Sequence, residues 1–202
     1  MSLGGADQGY LIVISGPSAV GKDTILDRLL SKPTNLKKPV LRCVTATTRS
    51  PRPGEHDGVD YHFYSVAQFH AVVQDDGFLE YADVFGNWYG TPAAWVEQQR
   101  AEGNDVILKI DVQGALKVKE RVRDALLIFF RPPSLEELER RLRARKTESD
   151  EQIARRLLDA RSELAEMPRY DYVILNDKVD EAVRDLAAIL RAEHCRQRRS
   201  LA

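Results

Sequence analysis

Residues 10–24 constrain this chain more than any other stretch. The apolar, β-branched run Leu11, Ile12, Val13, Ile14 stops at Ser15 and Gly16. A turn follows through Pro17, Ser18, Ala19 and Val20, and Gly21, Lys22, Asp23 and Thr24 lead into the helix-compatible residues 25–30. That order predicts strand, loop, helix. The spacing Gly16-x-x-x-x-Gly21-Lys22 fits a phosphate-binding loop. Its glycines let backbone N–H groups turn inward, the helix offers its positive N-terminus, and Lys22 adds a point charge, so an anion belongs there. One position departs from the strict pattern: Asp23 stands where Ser or Thr would meet a metal ion, with Thr24 one step later. Asp23 either holds the ion through its water shell or caps the helix N-terminus, where a carboxylate is favourable.

The 202 residues suffice for one good core carrying one or two small insertions. A formal net charge of −1 implies no general attraction to nucleic acid or to an anionic membrane, so any basic site must be local. Cys43 and Cys195, the two cysteines, stand far apart and suggest neither a disulfide framework nor a zinc site, which makes a reducing cytoplasm the expected setting. Residues 1–9 lack the pattern of a secretory leader, and no run approaches the ~20 apolar residues that span a bilayer.

Beyond the first helix, residues 40–44 read as a strand. Residues 45–63 are too rich in Pro, Gly and charge for a core element, and they set Arg49 and Arg52 in a polar turn that is either a second anion site or a solvated loop. Helical spacing over 66–73, alternation over 78–85, a turn at Gly86-Asn87 and a helix opened by Pro92 complete what looks like a small mixed insertion. Residues 105–111 form a nearly continuous apolar run of the kind buried in a parallel sheet. The run ends in Asp111, for which a ligand role is preferred to helix capping because such sheets bind ligands beyond their strand ends.

A crossover helix (113–121) and another buried strand (125–130) follow. Ser134 and Glu137 match a capping box, a break falls at 146–148, and Ser149 with Gln152 starts a second helix. The arginines here, Arg140, Arg141, Arg143, Arg145, Arg155 and Arg156, are either a salt-bridged exposed helix pair or a lid closing over phosphates. A last strand (172–175) turns through Asn176-Asp177 into a final amphipathic helix.

Taken together, these residues resemble the guanylate kinases over about residues 11–190. The most specific part is Thr47-Thr48-Arg49-Ser50-Pro51-Arg52-Pro53-Gly54-Glu55 with Gly58, Tyr61 and Phe63. Phe78-Leu79-Glu80-Tyr81, Gly86-Asn87-Trp88-Tyr89-Gly90-Thr91 and Ile110-Asp111-Val112-Gln113-Gly114 follow in the family's order. The resemblance implies an α/β P-loop three-layer fold with a central parallel five-stranded sheet. Core segments 1–44, 96–138 and 158–202 would carry a GMP-binding insertion at 45–95 and a helical lid at 139–157. It implies transfer of the γ-phosphoryl group of ATP, as Mg-ATP, to GMP and dGMP, with no nucleic-acid or membrane partner and a monomeric or homodimeric state.

By the same resemblance Gly16, Ser18, Ala19, Val20, Gly21, Lys22, Asp23, Thr24 and Asn176 bind ATP. Thr45, Arg49, Arg52, Glu55, Tyr61, Glu80, Tyr89, Thr91 and Asp111 bind GMP, and Lys22, Arg49, Arg141, Arg145 and Arg156 act in the transfer. Thr45 and Thr91 stand where serine is usual and keep the hydroxyl. The chemistry agrees with this assignment, because guanine offers N–H donors on its Watson–Crick edge and an ionised Glu80 can only accept. Two rivals remain at this stage: a guanylate-kinase-like module that binds protein partners without catalysis, and a related kinase for a sugar phosphate.

Overall fold

Nine strands and seven α-helices, with one 3₁₀ turn, form among the described residues of the computed structural model, which are 8–31, 36, 38–84, 86–144 and 149–196. In chain order they are β1 (Leu11–Ser15), α1 (Lys22–Ser31), β2 (Val40–Arg42), β3 (Ala46–Thr47), β4 (His62–Phe63), α2 (Val66–Gln74), β5 (Phe78–Val84), β6 (Asn87–Pro92) and α3 (Ala93–Ala101). There follow β7 (Asp105–Lys109), α4 (Val112–Arg121), β8 (Leu126–Arg131), α5 (Leu135–Ala144), α6 (Asp150–Ala165), β9 (Tyr172–Leu175) and α7 (Val179–Glu193). The expected five-stranded sheet has the order β2-β7-β1-β8-β9, and a second sheet has the order β4-β3-β6-β5.

The chain divides into two units: Val40–Leu127 with the segment ending at Ile14, and Ser15–Pro39 with Ile128 onward. In the first unit β7 lies between β1 and β2, parallel to both. Four of its five residues are buried, which is why its sequence is apolar on both faces. The four-stranded sheet of this unit contains a finding that composition concealed: the Pro- and Gly-rich segment holds two short strands. β3 runs antiparallel to β6, and β4 parallel to β3. Only two residues of each pair, too few for period-two alternation to register.

This smaller sheet packs on α2. Phe69 is fully buried with its ring 4.6 Å from that of Phe78, and Ala46, Tyr64, Val72, Val73 and Trp88 complete the cluster. Ser65 and Gln68 close both halves of a capping box at the start of α2. On the other side of β5, α4 is tied along the strand by polar bonds: Lys117 donates to the Tyr81 carbonyl (2.8 Å), and Arg121 to the Phe78 carbonyl (3.1 Å) and to Asp76.

In the second unit α1 packs on α7 while burying Ile25, Leu26 and Leu29 from one helix and Ala182, Leu186 and Leu190 from the other. β8 and β9 pair in parallel. Helices α5 and α6 share an apolar cluster of Leu138, Leu142, Ile153 and Ala160, which also takes in Ala19 of the glycine-rich loop. The Ser149–Gln152 capping box is complete. At Ser134 only the backbone half forms, because the Glu137 carboxylate turns instead to Arg140 and Arg141. The proposed break at 146–148, together with Arg145 and Phe85, lies outside the described residues.

Phe69→Ala is expected to cost about 3–5 kcal/mol of unfolding free energy, since it opens a large cavity beneath the smaller sheet, and Phe69→Leu clearly less. Chemical denaturation of the two variants checks the order.

Candidate active site

From the end of β1 the chain enters a tight loop that belongs to the second unit. Gly16 has φ +137°, and a Cβ there would run into the Phe130 carbonyl oxygen, so neither conformation nor space admits another residue. Ala19 also sits at positive φ, 65°, an unusual state for a residue with a side chain and one held here by its place in the apolar cluster. Lys22 opens α1 and folds its ammonium back over the Gly16 and Pro17 carbonyls. The lysine and the start of the helix thus converge on one concave backbone, the arrangement that holds phosphate oxygens.

Two of the arginines expected near this loop are there. Arg141 donates from Nη1 to the Val20 carbonyl (3.4 Å) and from Nη2 to the Asn176 carbonyl (3.1 Å), with Nε on Glu137 (2.8 Å). Arg156 donates to the Ser18 hydroxyl. Arg140 and Arg143, by contrast, point to solvent in ion pairs with Glu137, Glu139 and Asp150, the ordinary exposed-helix arrangement. Asn176 is 1% exposed; its amide N–H donates to the Val20 carbonyl (2.6 Å), while its Oδ1 is buried without a hydrogen-bond partner. Asp23 and Thr24 lie exposed in the first turn of α1. Their carboxylate and hydroxyl are hard oxygen donors of the kind magnesium takes directly or through water.

Glu137 was not anticipated as a site residue. Arg140, which bonds both of its oxygens, and Arg141, which bonds one, hold its carboxyl down to about 2, so it stays ionised and fixes Arg141. The signal was the i,i+4 spacing of Glu137 and Arg141.

The first unit holds a separate constellation on the smaller sheet. Glu80 on β5 stands opposite Thr91 on β6 in the antiparallel register, and Thr91 Oγ1 donates to Glu80 Oε1 at 2.6 Å. Both are buried, Glu80 at 7% exposure. Burial pushes the Glu80 carboxyl up to about 7; the Thr91 bond pulls the other way, Asp111 raises it further and Lys117 lowers it. The buried Cys43 thiol is pushed up to about 12 by desolvation and by Glu80, which makes it an inert wall rather than a nucleophile. Thr45 is buried just before β3, and the register Ala46↔Gly90 leaves it at the same end of the ladder as Thr91. Asp111 does cap a helix: its Oδ1 accepts from the Gly114 N–H at 2.9 Å as the N-cap of α4. The preference for a ligand role over capping therefore missed a function that the residue performs.

Tyr89 and Thr91 alternate on β6 and so share one face. Near Tyr89 lies the cationic cluster. Arg49 donates from Nη2 to Glu55 (2.9 Å) and from Nη1 to the Ser50 carbonyl (2.7 Å), and its guanidinium stacks 5.4 Å from the Tyr61 ring centre and 5.9 Å from that of Phe63. Tyr61 meets Tyr89 edge to face at 5.9 Å. The second Glu55 oxygen accepts the Arg52 main-chain N–H (2.7 Å), which leaves the Arg52 guanidinium exposed. Hydrogen bonding to Arg49 holds the Glu55 carboxyl below its usual range and raises the guanidinium. Glu55 thus shapes the turn and aims Arg49, while two tyrosines and two arginines provide donors suited to a phosphate.

Comparison with known proteins agrees with this geometry. A family model described as guanylate kinase matches residues 8–193. The chain is 49% identical over 189 residues to a guanylate kinase of Caldanaerobacter subterraneus subsp. tengcongensis, a match covering 94% of this chain and 90% of the relative. It is 47% identical over 193 residues to that of Halalkalibacterium halodurans, covering 96% and 93%. The crystal structure of guanylate kinase from Anaplasma phagocytophilum aligns with a TM-score of 0.78 at 34% identity, over 95% of this chain and 89% of that one.

A carboxyl raised in the folded state contributes stability below its unfolded value of 4.5 and loses it as pH climbs through about 7. Glu80→Gln should therefore stabilise the ligand-free protein at pH 8.5, by up to about 3 kcal/mol on the shift involved, with the gain vanishing toward pH 4.5. Thermal unfolding of both proteins across that range measures it.

Proposed function

This chain belongs to the guanylate kinase family, and from that membership we propose that it transfers the γ-phosphoryl group of ATP to GMP, and to dGMP, giving ADP and GDP. A GMP phosphate oxygen attacks the γ-phosphorus while the bond to the β–γ bridging oxygen breaks, in line and without a covalent intermediate on the protein. The observation that carries the substrate assignment is a buried acceptor, Glu80 with Thr91, on the sheet face that also bears the Arg49–Tyr61–Tyr89 cluster.

Guanine N1–H and the exocyclic amine donate to a carboxylate; adenine carries an unprotonated N1 there and would leave the charge unpaired. Thr45 and Asp111 complete the base site, and Arg49, Arg52, Tyr61 and Tyr89 take the GMP phosphate. Glu55 acts by positioning Arg49.

Gly16 and residues 18–24 cradle the ATP phosphates, with Asn176 offering its buried Oδ1 toward the base side. Lys22, Arg141, Arg145 and Arg156 neutralise charge that builds on the transferring group. Magnesium would enter with ATP, and Asp23 and Thr24 would be the oxygen donors nearest to hold it or its water shell. When bound it supplies further charge neutralisation on the phosphates. The insertion at 45–95 is read as the GMP-binding part and 139–157 as the lid. No helix of the described residues is long and apolar enough to cross a membrane, and a cytoplasmic enzyme, monomeric or homodimeric and without a nucleic-acid partner, fits this reading. The comparisons lend no support to a catalytically inactive module or to a sugar-phosphate kinase.

In a coupled assay with ATP, GMP should be turned over far faster than AMP, with dGMP accepted and a sugar monophosphate not. GMP no better than the sugar phosphate would remove the assignment. Lys22→Met should abolish turnover while GMP binding by calorimetry stays near wild type.

A further inference from the structure

We propose that Gly114, a residue that touches no phosphate and carries no chemistry of its own, fixes the guanine-reading carboxylate by leaving it the space a side chain would take. The inference rests on the reading of Glu80 as the base-recognition group. A Cβ built on Gly114 would lie 2.7 Å from Glu80 Oε2, 3.2 Å from its Cδ and 3.4 Å from Ile110 Cδ1. The first distance is shorter than any carbon–oxygen contact a packed interior sustains, so something must move.

Two groups could yield, and the bonds on the page decide between them. Helix α4 is held at its start by the Asp111 cap on the Gly114 N–H itself (2.9 Å), and along the same face by Lys117 on the Tyr81 carbonyl and Arg121 on the Phe78 carbonyl. Positions 114, 117 and 121 follow the i, i+3, i+7 spacing of one helix face, and both carbonyls belong to β5, the strand that carries Glu80. The helix is thus laced to the strand by Lys117 and Arg121 and cannot back away without breaking both bonds, while the Asp111 cap fixes its own first turn. Among the described residues Glu80 is held by one side-chain bond, Thr91 Oγ1 to Oε1. The carboxylate therefore yields first.

Its oxygens then leave the positions that Thr91 sets, and bidentate acceptance of two guanine donors is lost or distorted. Displacements of this size suffice for large losses where hydrogen bonds must be made in register. Gly114 is accordingly a positioning residue for base specificity, and its small size rather than its backbone freedom is what matters, because it sits inside the first turn of a helix.

The test is a double-mutant cycle of Gly114→Ala with Glu80→Asp, with Glu80→Gln alongside, read as dissociation constants for GMP and ATP by calorimetry and as KM and kcat. Alanine favours helix more than glycine, so a melting temperature at or above wild type is expected for G114A. Its GMP dissociation constant and KM should rise about ten- to a hundredfold while ATP binding is unchanged. In the E80D background, where the acid is one methylene shorter and withdrawn from α4, the same Gly114 change should have almost no further effect. Unchanged GMP affinity in G114A, with E80Q strongly impaired, overturns the inference alone. An equal loss in both backgrounds also overturns it, since the effect would then be on the helix and not on Glu80. Wild-type GMP affinity in E80Q would instead overturn the base-recognition reading and take this inference with it.

Discussion

One carboxyl group, that of Glu80, dictates more of the structure around it than any other side chain. An acid taken out of water loses hydration that only hydrogen-bond donors can replace, and the protein supplies one, the Thr91 hydroxyl. Its neighbours among the described residues include the Cys43 thiol, a second acid, Asp111, at the start of α4, and Gly114. Lys117 lowers the carboxyl only as the smallest of the influences on it. The outcome is a buried acceptor poised near the physiological range and suited to a planar base that presents two donors. The sheet geometry serves this arrangement: antiparallel pairing puts Thr91 directly opposite Glu80, and alternation along β6 puts Tyr89 on the same face, next to the arginine cluster.

The glycine-rich loop follows a different logic. There the specificity lies in the backbone, forced by the crowding of Gly16 against the Phe130 carbonyl and by an alanine held at positive φ. Because Ala19 is packed into the cluster of Leu138, Leu142, Ile153 and Ala160, the helices that carry Arg141 and Arg156 are anchored on the loop they serve. Glu137 completes the device by fixing Arg141 from within its own helix. Carboxylates recur in this role: Glu55 does for Arg49 what Glu137 does for Arg141, each orienting a cation without neutralising the site as a whole.

Most of the architecture was legible in the residues. The strand–loop–helix at 10–30, the buried β7 and β8 and the short β9 announced themselves by apolar runs, α2 by helical spacing over 66–73, and α6 by Ser149 and Gln152 three positions apart. What escaped did so for identifiable reasons. Strands β3 and β4 have two residues each, below the length at which alternation carries information. Asp111 could be read as a ligand or a cap, and position at a strand end favours the first while the observed bond to Gly114 demonstrates the second. The arginines of α5 could not be sorted by composition: Arg140 and Arg141 are adjacent in sequence, yet helix phase turns one to solvent and the other to the loop. The approach of Gly114 to Glu80 joins residues 34 positions apart in number through the packing of α4 on β5, a relation no local pattern encodes.

Proton release on GMP binding tests the role of Glu80 most directly. Near pH 7 a carboxyl raised to about 7 is half protonated, and accepting guanine requires that it ionise. Calorimetric titration of GMP in buffers of differing ionisation enthalpy should show about half a proton more released by the wild type than by Glu80→Gln, a comparison that removes the contribution of the GMP phosphate. Equal release by the two proteins, with GMP bound equally well, would contradict the reading of Glu80 as the group that recognises the base.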